Sequence, residues 1–314
     1  MQKKKRLLLA FIPFLSLAAL LGGLYLAVGF QGIASEGSLK VVASFYPLAY
    51  MAEQIGGEQI TVTCLIEPGV EAHSWQPSMQ DIFITNDATI AIYNGAGFDN
   101  WMKEDILPVI DLEGKIIVDT TYGLDLITNT VPTDVLEHGQ YDPHTWVSPS
   151  MAIKQAEKIY QALLEADPEN SEYYNNQWNL FETKLEKIEE KYINELAPLQ
   201  RRLFFTTHEA FGYIARDYNL TQYSIIGLSA DQQPSTQIIA DIVEVMSKEG
   251  VGVFYLEPGY SEVYVQVIKE ELMQRSGVEV KILKLYHMNG MTEGFDYLDQ
   301  MKENLVNLRI GLVR

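Results

Sequence analysis

The sequence predicts an α/β protein with two parallel-sheet lobes joined by one long helix, and with a binding site in the cleft between the lobes. Two observations predict this fold. Short β-rich runs alternate with helical stretches in two separate blocks, which is the pattern of parallel sheets with crossover helices. Between the blocks lies a long amphipathic stretch without glycine or proline. We therefore place the first lobe at residues 39–167, the linking helix at 168–199 and the second lobe at 200–314.

The first block contains four runs with the composition of strands, separated by stretches of helical character. The strands are predicted at 39–45, 60–66, 89–93 and 115–119, and the helices at 48–55 and 79–85. Ser148 and Pro149 then supply an N-cap and a proline at the first helical position, which predicts a helix to about residue 166.

The linking helix is predicted over 171–196, where apolar residues recur at helical spacing with charged residues between them. Pro198 ends it. In the second block the alternation resumes. Strands are predicted at 203–206, 222–226, 251–256 and 278–285, and helices at 209–217, 236–248, 263–273 and 297–308.

The N-terminal 38 residues have the character of an export signal or a membrane anchor. Basic residues at 3–6 precede an apolar run at 7–30. This run is longer than the apolar core of most cleavable signals, so we favour an uncleaved anchor, with cleavage after Ala34 as the alternative. In both cases the basic flank stays in the cytoplasm, and the rest of the chain is extracytoplasmic, either periplasmic or on the outer face of the membrane.

Composition narrows the classes of ligand. The 314 residues include 23 Lys and Arg against 42 Asp and Glu, a formal net charge of −19 that argues against nucleic acid and favours small cations. Cys64 is the single cysteine, which excludes an intramolecular disulfide and a thiolate zinc cluster. Any metal site must therefore consist of histidine and carboxylate.

Only five histidines occur, and their positions suggest a shared site. His73, His208 and His287 follow predicted strands, and His144 comes shortly before the Ser148 helix cap. The carboxyl ends of parallel strands form the ligand crevice of α/β sheets, so we expect these imidazoles to converge there. Three imidazoles with a carboxylate, a fourth imidazole or water suit tetrahedral Zn²⁺. For any one histidine alone, a buried hydrogen bond to the backbone is the alternative.

Seven short segments carry the most specific pattern in the chain. They are PGVEAHSWQPS at 68–78, YNG at 93–95, DPHTWVSP at 142–149, HEAFGY at 208–213, GLS at 227–229, QPS at 233–235 and FYLEP at 254–258. In this order they resemble motifs of the substrate-binding proteins of zinc and manganese ABC importers, the cluster A-I type. The resemblance covers about residues 41 to 308. It implies two α/β lobes, a long rigid helix between them, and one metal ion in the cleft.

The resemblance also implies a ligand set. His73, His144 and His208 fall on the first three metal-ligand positions of the family. Members that take manganese commonly have Glu at the third position, so His208 indicates zinc. The all-nitrogen set supports zinc independently, because Mn²⁺ prefers carboxylate oxygen.

The fourth ligand position departs from the family pattern. Many relatives have an acidic residue there, whereas Tyr286 stands opposite it in this chain, and we expect the neighbouring His287 to substitute. Some zinc-type members use a Glu directly before the first histidine; here that residue is Ala72, with Glu71 one position further back. Water is another alternative. His138, in the loop before DPHTW, is an auxiliary candidate or a solvated loop histidine.

Two carboxylates lie near the predicted ligands. Asp142 comes two residues before His144, and Glu257 ends a predicted strand near the crevice. Either could hold an imidazole in its metal-binding tautomer. We favour a turn or capping role for both.

The predicted function is capture of Zn²⁺ outside the membrane by a monomer without enzymatic activity. The resemblance implies an ABC permease and its cytoplasmic ATPase as partners. The chain has no GxxxxGK[ST] loop, so ATP chemistry must belong to a partner. One alternative is a Mn²⁺ or Fe²⁺ receptor, or an adhesin, of the same family. Another is a zinc-dependent hydrolase with Glu209 as general base, although the sequence lacks HExxH and GxSxG motifs.

Overall fold

The computed structural model describes residues 38–67, 70, 75–129, 135, 139–228 and 234–313. The apolar segment at 7–30 lies outside these ranges, as do three site candidates: Glu71, His73 and His138. The chain from Leu39 onward forms one compact unit. Within the described ranges, no helix combines the length and apolarity that a membrane span requires.

Four parallel strands form the first sheet. They are β1 (Leu39–Ala43), β2 (Ile60–Cys64), β3 (Ile90–Tyr93) and β4 (Ile116–Asp119). Their order across the sheet is β2-β1-β3-β4. All residues of β3 are buried, as expected for an inner parallel strand with helices on both faces. The helices of this lobe are α1 (Tyr46–Gly56), α2 (Met79–Asp87) and α3 (Pro149–Ala166).

The second sheet repeats the same topology. Its parallel strands are β5 (Leu203–Thr206), β6 (Thr221–Ser224), β7 (Val253–Leu256) and β8 (Lys281–Lys284), in the order β6-β5-β7-β8. In each sheet the strand order therefore reverses between the first and third strands. This reversal is the switch point where open α/β sheets bind ligands.

One long helix, α4 (Ser171–Leu196), lies between the two sheets in the chain. The remaining helices are α5 (Gly212–Asp217), α6 (Thr236–Glu249), α7 (Val263–Ser276) and α8 (Tyr297–Leu312). Helix α4 packs against α1 and α3 of the first lobe and α8 of the second. Its apolar face includes the buried Phe181 and Leu185, and Tyr192 donates a hydrogen bond to the Met301 carbonyl oxygen at 2.7 Å. One apolar core consequently extends through both lobes.

The structure confirms the two-sheet α/β fold and the long helix, with shifts at several element ends. The helix predicted from residue 209 begins at Gly212. A helix starting at Glu209 would pair the His208 carbonyl oxygen with an N–H of its first turn. That oxygen instead accepts the Gln222 side-chain amide at 2.9 Å. The last helix continues to Leu312 instead of ending near residue 308.

Candidate metal centre

Two polar side chains of the candidate site, those of His208 and Glu257, lie at the switch point of the second sheet. His208 lies two residues after β5, and Glu257 follows β7 directly. His287 comes three residues after β8, the strand next to β7. From the first lobe, His144 reaches the same place on the loop before α3. Ring centroids are 5.3 Å apart for His144 and His208, and 6.1 Å apart for His208 and His287.

His208 is held by Glu257. The fully buried Glu257 carboxylate contacts the imidazole Nδ1 through Oε2, and its Oε1 accepts the backbone N–H of His208 at 3.1 Å. Oε1 also accepts the backbone N–H of Thr207 at 3.1 Å and the Thr207 hydroxyl. The His208 carbonyl oxygen is fixed in turn by the Gln222 side-chain amide at 2.9 Å. Both ends of the His208 peptide unit are thus restrained, and Nε2 is the ring nitrogen left for a ligand.

His144 is held by Asp142. Oδ1 of Asp142 accepts the backbone N–H of His144 at 2.9 Å and lies 2.8 Å from its imidazole Nδ1. Both residues are buried. The loop is fixed further by the Asn94 side-chain amide, which donates to the Pro143 carbonyl oxygen at 2.9 Å, and by the Tyr213 hydroxyl, which donates to the Asp142 carbonyl oxygen at 2.6 Å.

The expectation of a turn or capping role is incomplete for both carboxylates, because Asp142 and Glu257 accept backbone N–H groups and also contact a histidine ring. Each carboxylate contacts the Nδ1 of a predicted ligand. Whenever such a carboxylate is ionised it has no proton to give, so the imidazole Nδ1 facing it carries the hydrogen and the metal-binding lone pair is on Nε2. Asp142 additionally forms the local turn, because it accepts the His144 backbone N–H.

The pKa values of the two carboxyl groups move in opposite directions. Burial raises the pKa of Asp142 to about 7, against the lowering effects of the His144 N–H, His208 and Arg216. Burial raises the pKa of Glu257 too, but the charge and hydrogen bond of His208, together with His287 and Thr207, leave that pKa below its ordinary value. The Glu257 carboxylate therefore remains ionised near neutral pH, whereas Asp142 titrates there.

His287 is positioned through its backbone. Its carbonyl oxygen accepts the Trp146 indole N–H at 2.8 Å, and the following residue, Met288, is buried with a left-handed φ of 62°. Nδ1 of His287 is buried and makes no hydrogen bond with any described residue. Burial lowers the pKa of His287 to about 4, since the nearby Glu257 raises it less. The imidazole is therefore neutral at physiological pH and capable of binding a metal.

The other residues that the sequence singled out either contact a residue outside the candidate site, are exposed to solvent, or fall outside the described ranges. Tyr286 is buried and directs its hydroxyl to Glu293 at 3.0 Å, so it does not take the place of an acidic ligand at the centre. Glu209, the general base of the hydrolase alternative, is exposed. His73, Glu71 and His138 lie outside the described residues, so their roles stay predictions. By themselves, the described residues do not include three His, Cys, Asp or Glu side chains placed to hold one metal ion.

Sequence reasoning missed three residues that contact the histidines or their supports. Thr207 and Gln222 bind the Glu257 carboxylate and the His208 carbonyl oxygen. The ring of Tyr260 stacks on the His208 imidazole, with centroids 5.1 Å apart and an interplanar angle of 11°. Pro258 and Gly259 between Glu257 and Tyr260 were the available signal, because such a pair predicts a tight turn that returns the chain towards the carboxylate.

A family model described as "ZnuA: Zinc-uptake complex component A periplasmic" matches residues 41–311. The chain belongs to this family. ZnuA-family proteins are solute-binding components of an uptake complex, not enzymes, and are extracytoplasmic. The family match confirms the predictions of the protein class and of the absence of enzymatic activity, and it removes the hydrolase alternative.

Relatives of the ZnuA family cover most of this chain. The "High-affinity zinc uptake system protein ZnuA" of Bacillus subtilis (strain 168) is 30% identical over 288 residues, which are 88% of each chain. The crystal structure of the metal-dependent lipoprotein YcdH from Bacillus subtilis has a TM-score of 0.75 and 30% identity, and the match covers 88% of this chain and 100% of that one. The Zn(II)-bound ZnuA-like domain of Streptococcus pneumoniae AdcA gives 0.74 and 29%, with the same coverage. These structures confirm the two-lobe fold.

Proposed function

We propose that this chain binds Zn²⁺ outside the cytoplasmic membrane and delivers it to an ABC permease that a cytoplasmic ATPase drives. One observation carries the proposal. The buried imidazoles of His144 and His208 lie with centroids 5.3 Å apart, and the Nδ1 of each contacts a buried carboxylate. This arrangement holds both rings in the tautomer that binds a metal through Nε2. The zinc-related names of the family and its relatives support the choice of metal.

The proposed ligands are His73, His144, His208 and His287. The first three follow from the family motifs, and His287 is supported by its neutral, buried imidazole 6.1 Å from the His208 ring. Glu71 is the weaker alternative for the fourth position, and His138 is an auxiliary candidate. Four nitrogen ligands suit tetrahedral Zn²⁺ and disfavour Mn²⁺, which takes six ligands and prefers oxygen.

The proposed cellular arrangement follows from the N-terminal sequence. The apolar segment at 7–30 attaches the chain to the outer face of the cytoplasmic membrane, and the part from Leu39 onward works there as a monomer. Its net charge attracts cations. Zn²⁺ is the transported cargo and not a resident cofactor.

Release to the permease requires one ligand to leave easily. His287 is the ligand suited to that task, because Nδ1 of His287 has no hydrogen-bond partner among the described residues. The rings of His144 and His208, in contrast, are each fixed by a carboxylate.

The test is a competitive titration of the purified, metal-stripped protein with Zn²⁺ in the presence of excess Mn²⁺. We expect one tightly bound equivalent of Zn²⁺ that Mn²⁺ does not displace. Preferential binding of Mn²⁺, or no stoichiometric binding of either metal, would contradict the proposed function.

Single alanine variants test the ligand set. His73→Ala, His144→Ala and His208→Ala should each weaken Zn²⁺ binding by more than the roughly 10- to 100-fold typical of residues that only support ligands. His287→Ala should have a smaller effect, because water can take the fourth position. His138→Ala tests the auxiliary candidate: wild-type Zn²⁺ affinity in this variant would leave His138 a solvated loop histidine. Retained tight binding in all three of the first variants would eliminate this ligand set.

A further inference from the structure

A four-residue turn connects Glu257, which contacts His208, to Tyr260, whose ring stacks on the His208 imidazole. The backbone N–H of Tyr260 donates to the Glu257 carbonyl oxygen at 3.2 Å, which closes the turn. Pro258 occupies the second position, and Gly259 the third with a φ of +94°. A type II turn requires a positive φ at its third position, where glycine is favoured, and commonly has proline at its second. The turn therefore fixes the separation between the Glu257 carboxylate and the Tyr260 ring.

The two ends of this turn hold His208 from different sides. Glu257 contacts the edge of the imidazole at Nδ1, whereas the Tyr260 ring lies nearly parallel to the imidazole plane, 11° from it. The same ring stands almost perpendicular to the His287 imidazole, at 82°. The centroids of Tyr260, His208 and His287 form a triangle with sides of 5.1, 6.1 and 6.2 Å.

The direction in which an imidazole binds a metal ion determines where the Tyr260 ring would lie relative to that ion. A metal ion bound to Nε2 lies in the plane of the imidazole ring, along the nitrogen lone pair. A bulky ring stacked on that plane and also adjacent to His287 lies beside an ion held between the two histidines. It occupies volume that additional water ligands would need. Tetrahedral Zn²⁺ needs no such waters, whereas Mn²⁺ completes an octahedral shell with oxygen ligands.

We propose that Tyr260 is a specificity-determining residue that limits the coordination number at the site, so that it slows Zn²⁺ release and disfavours Mn²⁺. The proposal rests on the proposed zinc-binding function. The proposal assigns the effect to the aromatic ring, which stacks on His208, and Tyr260→Phe tests the ring separately from the hydroxyl. Nothing in the resemblance to the importer family implied a role for this position.

A purely structural role of Tyr260 is the competing explanation, since its ring also packs against the apolar core of the second sheet. Tyr223 offers a matched control. It is half-buried like Tyr260, packs against the same core, and stacks on an aromatic ring, that of Phe205, with centroids 5.3 Å apart. Loss of either tyrosine removes similar packing, but only Tyr260 stacks on an imidazole.

The experiment compares Tyr260→Ala, Tyr260→Phe and Tyr223→Ala with the wild-type protein. Zn²⁺ association and dissociation rates are measured by stopped-flow chelator competition, and the ratio of Zn²⁺ to Mn²⁺ affinity by competitive titration. Tyr260→Ala should raise the dissociation rate and lower the affinity ratio by about 10-fold each, the low end of what residues around a metal site contribute. Its association rate should stay near that of the wild type. Tyr260→Phe and Tyr223→Ala should match the wild type in both readouts.

Three results would overturn the inference. A Tyr260→Ala variant with the wild-type dissociation rate and affinity ratio would show that Tyr260 does not limit the coordination number. A Tyr260→Phe variant that behaves like Tyr260→Ala would assign the effect to the hydroxyl. Equal changes in Tyr223→Ala would assign it to loss of core packing, which thermal unfolding of both variants measures separately. Failure of the wild type to bind Zn²⁺ would instead contradict the proposed function, so the two failures are distinguishable.

Discussion

The two supported imidazoles of the site are built from different parts of the fold. Asp142 and His144 are two residues apart on one loop, so their contact is local. Glu257 is 49 residues from His208, and the two meet because β7 lies beside β5 in the second sheet. The same chemical arrangement thus depends on a short turn in one lobe and on strand order in the other.

The hydrogen bonds of the two carboxylates also differ. His144 uses a single oxygen of Asp142, because both its backbone N–H and its Nδ1 contact Oδ1. Glu257 uses both oxygens: Oε1 accepts from Thr207 and the His208 backbone, and Oε2 contacts the His208 imidazole. An amide can replace the first arrangement, since its one carbonyl oxygen can take the place of Oδ1. An amide cannot replace the Glu257 carboxylate, because in either orientation its NH₂ group would face one of the donors that the two carboxylate oxygens now accept.

The largest expected effect is therefore that of Glu257→Gln compared with Asp142→Asn. An amide NH₂ opposite Nδ1 of His208 drives the imidazole into the tautomer with its hydrogen on Nε2, which cannot bind the metal. We expect Glu257→Gln to weaken Zn²⁺ binding by about 100-fold and Asp142→Asn by only a few-fold at pH 7, within the range of residues that support metal ligands. Competitive titration gives both affinities, and far-UV circular dichroism checks the fold. Equal losses in the two variants would contradict the comparison.

A smaller effect is expected at Gly212, on the first turn of α5. A Cβ at this position would lie 2.6 Å from Oδ2 of Asp142 and 3.4 Å from the Ile127 side chain. Gly212→Ala should rotate the Asp142 carboxylate away from His144 and weaken Zn²⁺ binding by about 10-fold, although alanine favours the helix itself.

A double-mutant cycle tests whether Gly212→Ala acts through Asp142. In an Asp142→Ala background the carboxylate is gone, so Gly212→Ala should cause no further loss of Zn²⁺ affinity, since coupled neighbours are not additive. Additive losses would mean that the new methyl group acts elsewhere.

The smallest expected effect is a difference in pH dependence. Zn²⁺ affinity of every variant should fall at low pH, because protons compete for imidazole nitrogen. Burial raises the pKa of Asp142 to about 7, so below pH 7 the wild type must release a proton before Asp142 can accept from His144. The few-fold advantage of wild type over Asp142→Asn should therefore be full near pH 8, about one unit above that pKa, and nearly vanish by pH 6.

Glu257 supplies the reference for this measurement. Its pKa lies below the ordinary value because His208 and Thr207 offset the effect of burial, so it is ionised throughout pH 6 to 8. The ratio of wild-type to Glu257→Gln affinity should consequently stay constant over that range. If the ratio of wild-type to variant affinity varied with pH for Glu257→Gln but not for Asp142→Asn, Glu257 and not Asp142 would be the group that titrates in this range.

The fold was predictable because alternation of strands and helices is a local signal. The proximity of His208 to His144 and to His287 was also predictable, since each follows or precedes an element at the crevice side of a sheet. Their joint role as ligands stays a prediction. The function of Glu257 was underestimated because its contact depends on β7 lying next to β5, and strand order is not visible in the spacing of residues.

Two other features had no sequence signal strong enough to predict them. A single aromatic residue such as Tyr260 has no periodicity, so its stacking on His208 depends on the turn geometry. The late start of α5 at Gly212 depends on the His208 carbonyl oxygen accepting the distant Gln222 side-chain amide. The roles of His73, Glu71 and His138 remain predictions from the sequence.

Hydrogen bonds across the lobes have a mechanical consequence for the loop that carries His144. Tyr213 and Tyr297 of the second lobe donate to the carbonyl oxygens of Asp142 and Trp146, and the Trp146 indole donates to the His287 carbonyl oxygen. The loop also stays bonded to its own lobe, because the Asn94 side-chain amide donates to the Pro143 carbonyl oxygen. Any separation of the lobes during cargo transfer must therefore break hydrogen bonds on one side of the loop that carries His144.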